Sequence, residues 1–222
     1  MSTLRGACII AQSGGPTAVI NASTYGAIIT AMKRREITRV LGAQNGIRGI
    51  LDDNLIDLDK EEPYELELLK YTPSSALGSC RYKLKDPAED DSDYKRILEI
   101  FMKYDVRYFF YNGGNDSMDT CNKVSKYMQK VGYECRVMGV PKTIDNDLQG
   151  TEITFGFDTA CSVVAEAVDA LRATAHAHHR VMVVETMGRS AGWIALGGGI
   201  AAYADAILIP ERPYDLNEFK KF

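Results

Sequence analysis

Residues Gly6-Ala7-Cys8-Ile9-Ile10-Ala11-Gln12 run directly into Ser13-Gly14-Gly15-Pro16, and residues 17–33 follow. The first stretch is a short apolar run and reads as a buried strand. The second is a tight loop, with Pro16 suited to a first helical turn. In the third, Val19, Ile20, Tyr25, Ile28 and Ile29 recur at helix-like intervals. The same strand, loop, helix order returns along the chain. Strands are expected at 38–43, 106–111, 135–140, 180–185 and 206–209, and helices at 94–104, 117–131, 161–177 and 189–203. Alternation of this kind implies an α/β fold with Rossmann-like parallel sheets flanked by helices. Ligands then bind on the loops at the carboxyl ends of the strands.

Residues 52–93 break the pattern. They are charged, carry Pro63, Pro73 and Pro87, and include the acidic run Glu89-Asp90-Asp91. This segment is expected to cross the surface. Gly197-Gly198-Gly199 reads as a close helix contact and Trp193 as core. His176, His178 and His179 read as a helix end running into a loop, not as a metal cluster.

Composition sets outer bounds. The 222 residues are 45% hydrophobic and 25% charged, which is ordinary globular usage. A net charge of −4 argues against a nucleic-acid partner. No stretch reaches the roughly 18 apolar residues of a membrane span. The N-terminus lacks the apolar core and cleavage site of a signal peptide. The expectation is a cytoplasmic protein with no membrane partner. Cys8, Cys80, Cys121, Cys135 and Cys161 form no C-x-x-C pair and read as reduced thiols.

Four loops carry chemistry-bearing residues. Ser13-Gly14-Gly15-Pro16-Thr17 lets backbone N–H groups approach a phosphate ahead of a helix N-terminus. Gly113-Gly114-Asn115-Asp116-Ser117 adds an acid and a hydroxyl, although Asp116 or Ser117 could simply cap the helix. Pro141-Lys142-Thr143-Ile144-Asp145-Asn146-Asp147 gathers a cation, a hydroxyl and two carboxylates. Lys142 can bind phosphoryl oxygens, Asp145 can take a proton from an attacking hydroxyl, and Asp147 can hold magnesium or orient a partner. Glu185-Thr186-Met187-Gly188-Arg189, with Arg180 upstream, is a further anion-binding layout. On one parallel sheet edge these loops would converge on a single cleft, and the chemistry they suggest together is phosphoryl transfer.

Five motifs in order, SGGPTAVINA (13–22), GGNDS (113–117), PKTIDND (141–147), GFDTA (156–160) and VVETMGR (183–189), resemble the phosphofructokinase family from about residue 7 to about residue 210. The resemblance implies a donor-phosphate domain over residues 1–157 and the start of a sugar-phosphate domain over 158–222, with the C-terminal half of the fold truncated. It implies that Gly14, Gly114, Asp116, Ser117 and Lys142 meet the donor phosphates. Arg81 would stabilise the transferring phosphoryl group, and Asp145 would deprotonate the 1-hydroxyl of fructose 6-phosphate. Thr143, Asp147, Met187, Gly188 and Arg189 would contact the sugar phosphate. Arg180 would reach the sugar phosphate of a neighbouring subunit, which implies a homo-oligomer, a dimer or tetramer. The cofactor implied is Mg²⁺, and the setting is glycolysis or gluconeogenesis.

Departures from the family pattern point to the donor. ATP-using members typically carry glycine where this chain has Asp116 and where it has Lys142. A carboxylate at Asp116 opposes an ATP α-phosphate by charge and bulk, and Lys142 supplies a cation for compact pyrophosphate. Both changes are similar to the pyrophosphate-dependent branch. Asn115 stands where an acidic magnesium ligand is usual. Either Asp116 shares the metal, or magnesium arrives already bound to pyrophosphate. An ATP-dependent 6-phosphofructokinase and an inactive ligand-binding fragment are the competing readings. A nicotinamide-binding protein would need G-x-G-x-x-G after the first strand, which is absent here.

Overall fold

The structure, a computed structural model, describes residues 4–219. By its internal contacts the chain divides into two compact units, Met1–Lys142 and Thr143–Phe222. The expected boundary after residue 157 separates ligand roles rather than compact units.

The first unit is built on β1 (Gly6–Gln12), β2 (Ile37–Ala43), β3 (Leu55–Asp57), β4 (Val106–Gly113) and β5 (Arg136–Pro141). They form a five-stranded sheet in the order β3-β2-β1-β4-β5. β1 pairs parallel with both β2 and β4, β4 pairs parallel with β5, and only β3 runs antiparallel, against β2. Every residue of β1 is buried, as a central strand covered on both faces requires.

Period-two alternation splits the core into two layers. Ala7, Ile9 and Ala11 join one cluster with Ile47 and Ile50 of α2 (Ile47–Leu51), Tyr94, Ile97 and Phe101 of α4 (Ser92–Lys103), and Val124 and Met128 of α5 (Asn115–Lys130). Cys8 and Ile10 join the other, with Ile28 and Ala31 of α1 (Ile20–Met32) and Leu66 of α3 (Pro63–Leu68). The three- and four-residue spacing of the α4 and α5 apolar positions turns one stripe of each helix to the sheet.

Several expectations change. α1 begins at Ile20, so Pro16 stays in the loop. The Thr17 hydroxyl receives the Val19 and Ile20 N–H groups at 3.3 and 3.1 Å. Residues 52–93 are not simply a surface crossing. They supply the edge strand β3, a 3-10 turn at Leu58–Lys60, helix α3 and the buried Leu77 and Leu84.

The second unit contains α6 (Phe157–His178), α7 (Trp193–Ala201) and α8 (Leu216–Phe219). The glycine triplet packs α7 on α6 as expected. A Cβ on Gly198 would lie 2.6 Å from Val164 Cγ1. Trp193 is not core. It opens α7 half-exposed, at 50%. The strands expected at 180–185 and 206–209 do not form. A strand is a paired object, and no other strand is described in this unit. Val181 and Val183 are accordingly 86% and 89% exposed. The three histidines lie at the end of α6, with His179 as a left-handed C-cap (φ 51°).

Burial of thiols predicts a pH limit. Desolvation pushes Cys121 and Cys135 from the ordinary 9.0 up to about 12, and Cys8 is raised for the same reason. The native state keeps these protons where the unfolded chain loses them. Stability is therefore full below about pH 9 and falls as pH rises toward 12, by about 1.4 kcal/mol per pH unit for each such group. The melting temperature should be level from pH 7 to 8.5 and drop above pH 9.5. The drop should be shallower in Cys135→Ala. A level profile to pH 11 contradicts this account.

Candidate phosphate-binding site

β1 and β4 are adjacent, yet their chain connections leave toward opposite edges of the sheet. That makes their carboxyl ends a topological switch point, the usual ligand position in such folds. The Ser13–Gly15 turn follows β1 and the Gly113–Gly114 turn ends β4. The Ser13 N–H binds the Asn112 carbonyl at 2.8 Å, joining the two. Lys142 follows β5, and its N–H binds the Gly113 carbonyl at 2.9 Å.

Lys142 is buried, with 6% exposure, but its side chain returns to the first turn. The ammonium donates to the Gly15 carbonyl. Gly14 has a φ of +80°, and a Cβ there would sit 3.4 Å from Lys142 Nζ and 3.5 Å from the Gly114 nitrogen. Glycine, a backbone N–H and an ammonium thus meet within a few ångströms. Such a grouping is one that can receive an anion.

Gly113 is required by packing. A Cβ there would lie 2.1 Å from Ser117 Oγ, 2.7 Å from Ser117 Cβ and 2.9 Å from the Ser13 carbonyl. Ser117 is itself buried at 3%. Gly113→Ala should destabilise by about 2–4 kcal/mol. A urea midpoint equal to the parent's would contradict the packing described here.

Neither Asp116 nor Ser117 caps α5. Gly114 is the N-cap, with no side-chain cap bond. Asn115 and Asp116 are exposed in the first helical turn. Among the described residues, no cluster of three or more His, Cys, Asp or Glu is placed to hold a metal.

Arg81 is exposed, and the chain leading to it is tied to the same turn. Ser79 Oγ donates to the Gly14 carbonyl at 2.7 Å, and Ser13 Oγ to the Cys80 carbonyl at 3.3 Å. Beneath them lies a buried amide network that the sequence reading overlooked. Gln12 Oε1 receives the Leu77 N–H at 2.7 Å and Ser75 Oγ at 3.0 Å. Gln12 Nε2 donates to Asn21 Oδ1 at 2.8 Å and Thr24 Oγ1 at 2.9 Å. Asn21 Oδ1 also receives the Ala76 N–H at 2.8 Å, and its Nδ2 donates to the Thr72 carbonyl at 3.0 Å. The available signal was a glutamine closing an otherwise apolar central strand.

The remaining expected residues belong to the second unit. The Asp145 N–H donates to Thr143 Oγ1 at 3.1 Å. Asn146, at φ 55°, accepts the Thr154 N–H on Oδ1 at 2.9 Å. Thr143 and Asn146 thus shape the turn that carries the half-buried Asp145 and Asp147. Arg180 and Arg189 are exposed, and Met187 is 67% exposed. Gly188 has a φ of +114°, and a Cβ there would be 2.2 Å from the Ala191 carbonyl, so the Met187–Arg189 turn admits only glycine.

Comparison with known proteins gives a consistent picture. A family model described as phosphofructokinase matches residues 7–222. A pyrophosphate–fructose 6-phosphate 1-phosphotransferase of Methylococcus capsulatus is 45% identical over 219 residues, 94% of this chain and 52% of that protein. An ATP-dependent 6-phosphofructokinase of Spirochaeta thermophila is 39% identical over 214 residues, covering 93% and 56%. The crystal structure of a pyrophosphate-dependent phosphofructokinase from Nitrosospira multiformis superposes with a TM-score of 0.83. It is 40% identical, over 96% of this chain and 55% of that one. The chain spans about half the length of the curated relatives it matches.

Proposed function

Since the chain belongs to the phosphofructokinase family, we propose that it serves phosphoryl transfer from pyrophosphate to the 1-hydroxyl of fructose 6-phosphate, giving fructose 1,6-bisphosphate and phosphate, reversibly. One observation carries the donor assignment. Lys142, at a glycine position of ATP users, is buried and brings its ammonium to the Gly14–Gly15 turn. A compact, highly charged donor gains most from a charge placed so close to a backbone turn.

The roles divide by chemistry. Gly14, Gly114, Ser117 and Lys142 receive the donor. The bond from the transferring phosphorus to the bridging oxygen breaks, and orthophosphate leaves. Arg81 offsets the charge spread over the transferring oxygens. Asp145 takes the proton as the sugar O1 bonds to phosphorus. Thr143 and Asp147 flank that base. Met187, Gly188 and Arg189 serve the sugar phosphate. Arg180 serves that of a neighbouring subunit in a homodimer or homotetramer. A cytoplasmic setting in glycolysis or gluconeogenesis suits these substrates.

Magnesium is tested by its ligands. Asn115 and Asp116 offer one amide and one carboxylate oxygen at an exposed helix start. That set fits a magnesium ion that keeps waters and phosphate oxygens, and not an all-protein cage. Bound with pyrophosphate, the ion would neutralise developing phosphate charge.

The ATP-dependent relative keeps a second donor in view. A coupled assay on full-length protein with each donor decides between them. Turnover with ATP and none with pyrophosphate would overturn the donor assignment.

A further inference from the structure

The buried amides beneath the Ser13–Gly15 turn hold the segment that leads to Arg81. Gln12, fully buried, ends the central strand, and Asn21 lies in the first turn of α1, 1% exposed. Both side chains spend acceptors on consecutive backbone N–H groups, Ala76 to Asn21 and Leu77 to Gln12. A backbone N–H can only donate, so these two bonds fix which amide atom is oxygen. The Gln12 Nε2 to Asn21 Oδ1 bond then follows with a defined direction. Thr24 closes the set. Its hydroxyl donates to the Ile20 carbonyl at 3.0 Å and accepts from Gln12 and from Asn112 Nδ2.

What these amides hold is a segment with no regular structure of its own. Residues 72–80 lie outside any helix or strand. Their backbone is pinned at Thr72, Ala76 and Leu77 by the two amides, and at Leu77 again by the Asn45 N–H at 2.7 Å. Ser79 then reaches the Gly14 carbonyl, and Arg81 follows two residues later. Leu77 adds an apolar anchor in the second core layer, and the Ser74 N–H donates to the Thr17 carbonyl at 3.1 Å. The amide bonds are the polar ties from the end of β1 and the start of α1.

We propose that Gln12 and Asn21 are positioning residues for the transfer. They fix residues 72–80 against the Ser13–Gly15 turn, and so set where the Arg81 guanidinium stands relative to the donor cradle. This rests on the role given to Arg81 above. Charge stabilisation depends on placement, and a displacement of about 1 Å costs about a hundredfold in rate.

The test is a double-mutant cycle in full-length protein with pyrophosphate as donor. Gln12→Met keeps the volume and removes both acceptor bonds to the segment. In the parent background it should lower kcat by about 10- to 100-fold, with the KM for fructose 6-phosphate within threefold. In an Arg81→Ala background it should lower kcat by less than about twofold, because the group it positions is gone. Ser79→Ala removes a single tether of the same segment. It carries the same cycle with a smaller loss should Gln12→Met not fold. Equal fold losses in both backgrounds would overturn the proposal, since a general structural defect acts with or without Arg81. So would a Gln12→Met or Ser79→Ala enzyme with parental kcat. If the parent itself transfers nothing from pyrophosphate, the functional reading fails, and this proposal with it. That outcome is told apart by the parent's own rate.

Discussion

Replacing Lys142 and Asp116 together by glycine in full-length protein should reverse the donor preference. The two substitutions act on different terms. Lys142 is buried and brings its ammonium to the Gly14–Gly15 turn. Removing a charged partner of this kind costs about 2–4 kcal/mol, or about 30- to 1000-fold in kcat/KM for pyrophosphate. Asp116 stands exposed in the first turn of α5, where it opposes a longer polyphosphate by like charge. Its removal should admit ATP without helping pyrophosphate. Asp116→Gly alone is thus expected to raise kcat/KM for ATP by about tenfold or more, since like-charge juxtaposition costs several kcal/mol. Lys142→Gly alone should only weaken pyrophosphate. Because Lys142 is buried, Lys142→Met separates lost charge from lost packing. Should the double variant keep its parent's donor ratio, the donor assignment is wrong and discrimination lies elsewhere.

The elements legible in advance were those whose signal is local. β1, β2, β4 and β5 in the first unit follow from short apolar runs, and α4 and α5 from three- and four-residue apolar spacing, whereas the edge strand β3 had no such signal. The cradle was legible too, because Gly14, Gly113 and Gly114 mark backbone that must come close to something. What was not legible depends on partners distant in sequence. Residues 180–185 and 206–209 have good strand composition, but composition does not supply a neighbour to pair with. Residues 52–93 look like solvated charge, yet Leu77 and Leu84 are buried because β2 and α4 happen to need cover there. The amide pair Gln12 and Asn21 lay hidden for the same reason. Its partners are the N–H groups of Leu77 and Ala76, 65 and 55 residues away.

The same contrast bears on how the site is built. The candidate cradle sits on rigid strand ends, where backbone atoms are fixed by the parallel ladder. The Arg81 segment has no strand ladder; side-chain amides and hydroxyls, two backbone bonds and the buried Leu77 hold it. Substitutions there should alter rate before they alter stability, whereas Gly113→Ala should do the reverse.

Asp145→Asn should be the most damaging single change to turnover. The amide has the carboxylate's shape, so the turn set by the Thr143 hydroxyl and by Asn146 toward Thr154 should survive. What is lost is the capacity to accept a proton as the sugar oxygen attacks, a contribution of about 10²- to 10⁴-fold. We expect kcat to fall by about a thousandfold. Fructose 6-phosphate affinity, read by calorimetry in the absence of donor, should change by less than about threefold, because ground-state hydrogen bonding is largely kept. Asp145→Glu, whose carboxylate is displaced by one methylene, should fall between parent and Asn. Asp147→Asn is the control for a general effect of charge in the loop, and its loss should be at least tenfold smaller. If Asp145→Asn and Asp147→Asn lose rate equally, the loop acts through its net charge and no single base operates. If Asp145→Asn stays within tenfold of its parent, the proton leaves by another route and the assignment of Asp145 falls.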